Sequence, residues 1–183
     1  MTMRIGIISD THDRVSPQQM EAIKEAFSGV DMIFHCGDIY SVSLLDQLEE
    51  IAPLKAALGN GDFMQRDERV KLTHDLVLEG YSIHLTHYFP FDEMELLLSE
   101  LKRPRDNVSP EFDAMLIQQL SLVQDPPDII IFGHTHRALV YRNDDVVIVN
   151  PGSPTVPLQR HWRGSVMLLT LEPGKISPSI VRI

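Results

Sequence analysis

Seven side chains able to ligate a transition metal recur along the chain, each just after a short apolar run. They are Asp10 and His12 in Ser9-Asp10-Thr11-His12, Asp38 in Cys36-Gly37-Asp38, and Asn60 in Gly59-Asn60. His87 in Thr86-His87, and His134 and His136 in Gly133-His134-Thr135-His136, complete the set. Taken singly, several have plain explanations. Asp10 and Asp38 suit turns or a helix cap, Asn60 between two glycines suits a tight turn, and His87 is as much a strand-end histidine as a site histidine. The Gly-His-Thr-His segment differs. In an extended chain residues two apart face the same side, so His134 and His136 converge, and two neutral imidazoles held that way form a natural metal pair. Five strand ends delivering carboxylate, imidazole or amide to one edge of an α/β sheet point to a ligand site there.

The donor types narrow the chemistry. Carboxylate, imidazole and amide oxygen suit Mn, Fe, Zn or Ni, and the lack of thiolates weighs against a structural zinc site. With one carboxylate shared, the seven donors suffice for two four-coordinate ions, and paired metals about 3.5–4 Å apart are a recurrent solution for hydrolysing phosphate esters.

The elements that position these residues begin as strand and helix in alternation. Met3 to Ser9 is an Ile-rich run that suits a buried strand. Ser16-Pro17-Gln18-Gln19 has the form of a capping box with proline at the first helical position, and Met20, Ile23, Phe27 and Val30 follow at helical spacing. Met32 to Cys36 reads as a second strand, Leu44, Leu45, Leu48 and Ile51 as a second helix, and Leu54 to Leu58 as a third strand. That order implies a parallel sheet with right-handed crossovers. Asp75–Glu79 and Ser82–Thr86 read as a hairpin around Gly80-Tyr81. Phe91–Leu101 and Glu111–Val123 read as helices separated by a charged loop, Lys102–Val108. Asp128–Phe132 is an apolar strand, and Leu139–Arg142, Val146–Val149, Ser165–Leu171 and Ser179–Ile183 are short strands.

Composition sets outer bounds. The 183 residues suit one α/β domain over 1–183. A net charge of −10 argues against general affinity for a nucleic-acid backbone. It does not forbid a phosphate substrate, because bound cations reverse the local sign. With Cys36 the sole cysteine no internal disulfide forms, and a reducing, cytoplasmic setting is expected. The run Ile5 to Ile8 is too short for a signal peptide, and no run approaches membrane-spanning length, so no membrane association is expected.

The ordered set Asp-x-His, Gly-Asp, Gly-Asn, Thr-His and Gly-His-x-His resembles the calcineurin-like metallophosphoesterase superfamily. With Asn150-Pro151-Gly152-Ser153, the resemblance spans residues 5 to 153 and is nearest to the small bacterial and archaeal phosphodiesterases. It implies an αββα four-layer sandwich, two mixed β-sheets flanked by helices. It also implies a first metal on Asp10, His12 and His136, a second on Asn60, His87 and His134, and Asp38 bridging. Asp38, Asn60 and His134 are also assigned to the catalytic step. The implied activity is that of a phosphodiesterase acting on small phosphodiesters, with two divalent metals per chain (Mn favoured; Fe, Ni or Zn as substitutes) and in-line attack by a metal-bridging hydroxide. A phosphomonoesterase acting on a nucleotide or sugar phosphate would use the same residues. A non-catalytic scaffold, like the superfamily's retromer subunit with its partly lost metal set, is the reading from another class.

Three departures follow. Many members have His at the position of Gly61, where it helps protonate the leaving group; its absence predicts a preference for good leaving groups such as aryl phosphodiesters, with Asp62, His35 and His161 as substitute acids. His35, inside an apolar run, reads better as a core residue. Arg160 and His161, in Gln159-Arg160-His161-Trp162-Arg163, are candidates to reach over the metals to a phosphate oxygen. Tyr88 stands where small members usually have Gly, and residues 89–124 read as a helical insertion that walls the cleft or forms a homo-oligomer interface.

Overall fold

A computed structural model describes residues 1–63, 66–91, 109–142, 144, 146–158 and 164–183. Apart from Phe91, the helix expected over Phe91–Leu101 lies outside the described residues, as do the charged loop Lys102–Val108, Arg160 and His161.

The elements run β1 (Met3–Ile8), α1 (Pro17–Ala26), β2 (Met32–His35), α2 (Val42–Glu49), β3 (Leu54–Ala57), β4 (Val70–Lys71), β5 (His74–Leu78) and β6 (Tyr81–Leu85). Then come α3 (Pro110–Ser121), β7 (Ile129–Ile131), β8 (Ala138–Arg142), β9 (Val147–Pro151), β10 (Ser165–Glu172) and β11 (Lys175–Arg182). They form two mixed sheets, ordered β11-β10-β1-β2-β3-β4 and β5-β6-β7-β9-β8. As the alternation implied, β1, β2 and β3 are parallel, and β10 and β11 extend that sheet antiparallel. In the second sheet β6, β7 and β9 are parallel, with antiparallel β5 and β8 at its edges.

Side-chain alternation builds three apolar layers. Ile5 and Ile7 of β1 pack between the sheets with Phe34, Ile129, Ile131 and Val149. Ile8 and Ile33 face the other way, under Met20, Ile23 and Phe27 of the α1 region and Leu45 and Leu48 of α2. On the outer face of the second sheet Ile130, Phe132 and Ile148 meet Phe112, Leu116 and Leu120 of α3. The all-isoleucine β7 thus serves two cores at once, as a strand covered on both faces must. The result is the helix–sheet–sheet–helix sandwich that the family resemblance implied.

Local sequence explains most boundaries. The Ser16 hydroxyl accepts from the Gln19 N–H at 3.2 Å while the Gln19 amide oxygen accepts from the Ser16 N–H at 3.0 Å, so the capping box is formed. The hairpin turn is Glu79-Gly80, both at positive φ (50° and 87°), not Gly80-Tyr81. Paired positive-φ residues match the twist of hairpin strands, and Tyr81 is thereby free to open β6 and donate its hydroxyl to the Glu172 carbonyl at 2.9 Å. β11 begins at Lys175 rather than Ser179 and carries Pro178 within it. An edge strand tolerates a proline whose missing N–H would face away from its one neighbour. No helix among the described residues is long and apolar enough to cross a membrane.

Gly6 lies under α1, where an added Cβ would meet the Phe27 ring at 2.9 Å. Gly6→Val is expected to lower stability by about 1–3 kcal/mol through overpacking. A second change, Phe27→Leu, should recover part of that loss, read as urea midpoints at constant slope.

Candidate metal centre

All seven candidate ligands sit just beyond the C-terminal ends of β1, β2, β3, β6 and β7, and the packing of the two sheets brings them together. His12 Nε2 lies 3.1 Å from His136 Nε2, and His136 Nε2 lies 3.4 Å from Asp10 Oδ1. On the other side His87 Nε2 is 3.1 Å from Asn60 Oδ1 and 3.2 Å from His134 Nδ1. Asp38 lies between: Oδ2 is 3.9 Å from His12 Nδ1, and Oδ1 is 3.7 Å from His87 Nε2. Two groups, Asp10–His12–His136 and Asp10–Asp38–His87, each have ligand atoms close enough to share one ion.

Backbone conformation marks the same place. Nine non-glycine residues among those described have positive φ, and seven are at the cluster: Asp10, His12, Asp13, Asp38, Tyr40, His134 and His136, between 49° and 66°. Such conformations are uncommon outside glycine and persist where surrounding structure imposes them, typically at functional sites.

What imposes them is a set of hydrogen bonds behind the ligands. His87 Nδ1 donates to the Cys36 carbonyl at 2.7 Å and His136 Nδ1 to the Val156 carbonyl at 3.0 Å. Each bond fixes the tautomer and leaves the Nε2 lone pair facing the cluster. Ser153 Oγ and Thr155 Oγ1 donate to the Asp10 carbonyl at 2.8 and 3.2 Å. Asn150 Nδ2 donates to the Gly133 carbonyl at 2.7 Å and its Oδ1 accepts from the Gly152 N–H at 2.8 Å. The Asn-Pro-Gly-Ser segment is therefore a clamp on the loops that carry Asp10 and His134.

Asp62 has a comparable task. Its carboxylate accepts from the N–H groups of Asp38, Ile39, Tyr40 and Gly59 at 2.7–2.9 Å. That commits a buried side chain, expected in part as a proton donor, to holding two loops. His35 is fully buried and accepts the Gly37 N–H at Nδ1, so its Nε2–H donates to Thr11 Oγ1 at 3.1 Å. Burial holds it neutral, with its pKa down at about 3. It braces the loop after β1, in keeping with its reading as a core residue.

The glycines beside Asn60 act by their size. The tight turn expected at Asn60 is formed, the Asp62 N–H donating to the Gly59 carbonyl at 3.3 Å, though neither Gly59 nor Gly61 needs positive φ to make it. A Cβ on Gly59 would overlap the Asp38 backbone and carboxylate, and one on Gly61 would overlap the Tyr40 ring.

The electrostatics fit a cation. Asp10 Oδ1 is buried with no hydrogen-bond donor among the described residues, an arrangement that costs free energy unless a positive charge faces it. Burial foremost, with Asp38 adding to it, pushes the Asp10 carboxyl up to about 8. Burial likewise lowers His12, His87 and His134, favouring the neutral imidazoles that bind metals. Imidazole nitrogens facing one another at 3.1–3.2 Å, beside carboxylates, form the donor set expected for a borderline divalent metal.

Residues 3–174 match the calcineurin-like phosphoesterase superfamily domain. The chain belongs to that superfamily. It is 34% identical over 98% of its length to a probable metallophosphoesterase of Methanothermobacter thermautotrophicus, covering 92% of that protein. It is 30% identical over 82% of its length to a phosphodiesterase of Methanocaldococcus jannaschii, covering 83% of it. Among solved structures, an archaeal phosphodiesterase superposes with a TM-score of 0.68 at 22% identity, over 98% of this chain and 100% of that one. Vacuolar protein sorting 29 of Chaetomium thermophilum shares the fold at a TM-score of 0.61 and 19% identity, over 98% and 97% of the two chains.

Among the described residues, two tyrosines set their rings against histidines of the cluster. Tyr88, noted in the sequence, sets its ring 4.7 Å from that of His134 and 5.0 Å from that of His87. Tyr40, which no motif marked, packs edge-on against His12 with centroids 5.0 Å apart.

Asp62→Ala leaves four N–H groups without their acceptor. It should cost several kcal/mol, at about 1–3 kcal/mol for each donor left buried and unpaired. In whatever fraction still folds, Mn²⁺ affinity should fall by roughly 10–100-fold, as for other supports behind a ligand. Urea denaturation and Mn²⁺ titration measure the two losses.

Proposed function

We propose that this protein is a dinuclear metal-dependent phosphodiesterase acting on small phosphodiesters. The observation that carries the reading is the buried, donorless Oδ1 of Asp10 set against inward-facing imidazole nitrogens and a second buried carboxylate. Its relatives named as metallophosphoesterases and as a phosphodiesterase support the reaction class.

Asp10, His12 and His136 would hold one ion and Asn60, His87 and His134 the other. Asp38 is the group whose two oxygens reach toward both sides, so it would be shared. Mn²⁺ is our first choice, with Fe, Ni or Zn also matching the donors. Bound ions would supply acidification of a water to near-neutral pKa and neutralisation of phosphoryl charge. The chain's own contribution is placement. The carbonyls of Cys36 and Val156 hold His87 and His136 in one tautomer, the Asp62 carboxylate holds the Asp38 and Asn60 loops in one register, and the Gly61 N–H bonds Asp38 Oδ1 at 2.9 Å to set its rotamer. With a net charge of −10 the chain would repel an anionic ester without such ions. We place the enzyme in a reducing cytosol, in keeping with a lone, buried cysteine.

Metal-stripped protein should hydrolyse neither bis-p-nitrophenyl phosphate nor p-nitrophenyl phosphate, and Mn²⁺ should restore activity with the diester preferred. Asp38→Ala and Asn60→Ala should each lose more than the roughly 10–100-fold expected for a residue behind a ligand. Preference for the monoester would favour the phosphomonoesterase. Loss of neither ester's turnover on stripping the metal, or none to lose, would overturn the reading.

A further inference from the structure

Tyr40 combines three features that a surface tyrosine does not need. Its φ is 65°, in a region where bulky side chains are outliers. That conformation is held by its N–H, which donates to Asp62 Oδ1 at 2.9 Å. Its ring is turned edge-on to the candidate ligand His12, yet the residue is 44% exposed, and its hydroxyl makes no hydrogen bond among the described residues.

The hydroxyl end of that ring fills the space above Gly61. An added Cβ at 61 would overlap Tyr40 Cε1, Cζ and the hydroxyl oxygen. Gly61 does not have positive φ, so its φ is open to alanine, and the nearest atoms in the way belong to that ring. The absent side chain at 61 and the strained tyrosine at 40 are therefore one feature. The chain between Asn60 and Asp62 carries no side chain where the phenol of Tyr40 stands, on a ring that packs edge-on against His12.

We propose that the Tyr40 hydroxyl is a substrate-binding group, donating a hydrogen bond to an oxygen of the phosphate held at the metal cluster, in a space kept open by Gly61. The phenol remains protonated throughout, and no bond to it forms or breaks. This inference rests on the phosphoesterase reading above. It names one of the groups that would hold that substrate.

The test uses the full chain loaded with Mn²⁺ and inorganic phosphate as the binding probe. Tyr40→Phe should weaken phosphate binding by calorimetry by about 10-fold, as for loss of one hydrogen bond to a charged group. It should lower kcat/KM on bis-p-nitrophenyl phosphate by a similar factor. Its thermal midpoint and Mn²⁺ stoichiometry should match the wild type, which separates binding from a structural role. Gly61→Ala should displace the ring and weaken phosphate binding comparably, and the double substitution should be no worse than Gly61→Ala alone, because both remove one contact. Wild-type phosphate affinity and turnover in Tyr40→Phe would overturn this inference while leaving the phosphoesterase intact. Full additivity of the two substitutions would do the same. A wild type that neither binds phosphate nor hydrolyses the diester would bring down both readings.

Discussion

The carboxylate of Asp62 accepts four backbone N–H groups from two loops, three from the turn after β2 and one from the turn after β3. A buried carboxylate is tolerated when its oxygens are saturated in this way, and the bonds are stronger for being charge-assisted. The turn after β2 contains Asp38 at φ 56° and Tyr40 at φ 65°, conformations that an unsupported loop would relax. The turn after β3 contains Asn60 and approaches so closely that Gly59 has no room for a Cβ beside Asp38. Strain in one loop and close approach in the other are sustained by the same anchor. Remove it, and the spacing of Asp38 from Asn60 loses four of the hydrogen bonds that hold the two loops, leaving the Gly61 N–H bond to Asp38 Oδ1.

The other half of the site depends on a different strut. Asp10 leaves the first sheet and His134 leaves the second, and the end of β9 with the segment beyond it bridges them: Asn150 holds the Gly133 carbonyl, and Ser153 and Thr155 hold that of Asp10. The His134 N–H in turn donates to Asp10 Oδ2 at 3.0 Å. The bonds to Asp10 join groups more than a hundred residues apart, so they form only once the apolar layer of Ile5, Ile7, Ile129, Ile131 and Val149 has set the distance between the sheets. Packing fixes the coarse geometry of the site, and hydrogen bonds to backbone fix the fine geometry.

This division explains what was legible in the sequence. Strand runs and donor-bearing strand ends are local, and the seven candidate ligands stand at one edge because the parallel strands all end there. The Ser16 capping box is local too and formed as read. Asp62 was harder to read, because its partners are backbone N–H groups, which every residue carries and no motif displays. Tyr40 was illegible because its significance depends on the missing side chain of a residue far along the chain. Gly59-Asn60-Gly61 was legible as a tight turn and forms one, but the lack of room for a side chain at either glycine was not, since only the neighbouring loop reveals it. Pro178 concealed the first half of β11, since a proline argues against a strand unless the strand is known to be an edge.

The frame also limits what could occupy the cluster. Two buried carboxylates and imidazoles with lone pairs turned inward, two of them fixed by carbonyls behind, present acceptors on every side. A water molecule has two protons to offer and cannot satisfy them all. An anion would meet only repulsion, in a protein already carrying a net charge of −10. Protonating Asp10 relieves one charge but leaves the facing imidazoles unpaired. Divalent cations would satisfy them together and reverse the local sign, as the proposed phosphate-ester substrate requires. The strained loops, the saturated Asp62 and the clamp at the end of β9 are thus parts of one arrangement. They hold apart groups that would otherwise turn away from one another, at the separation a cation requires.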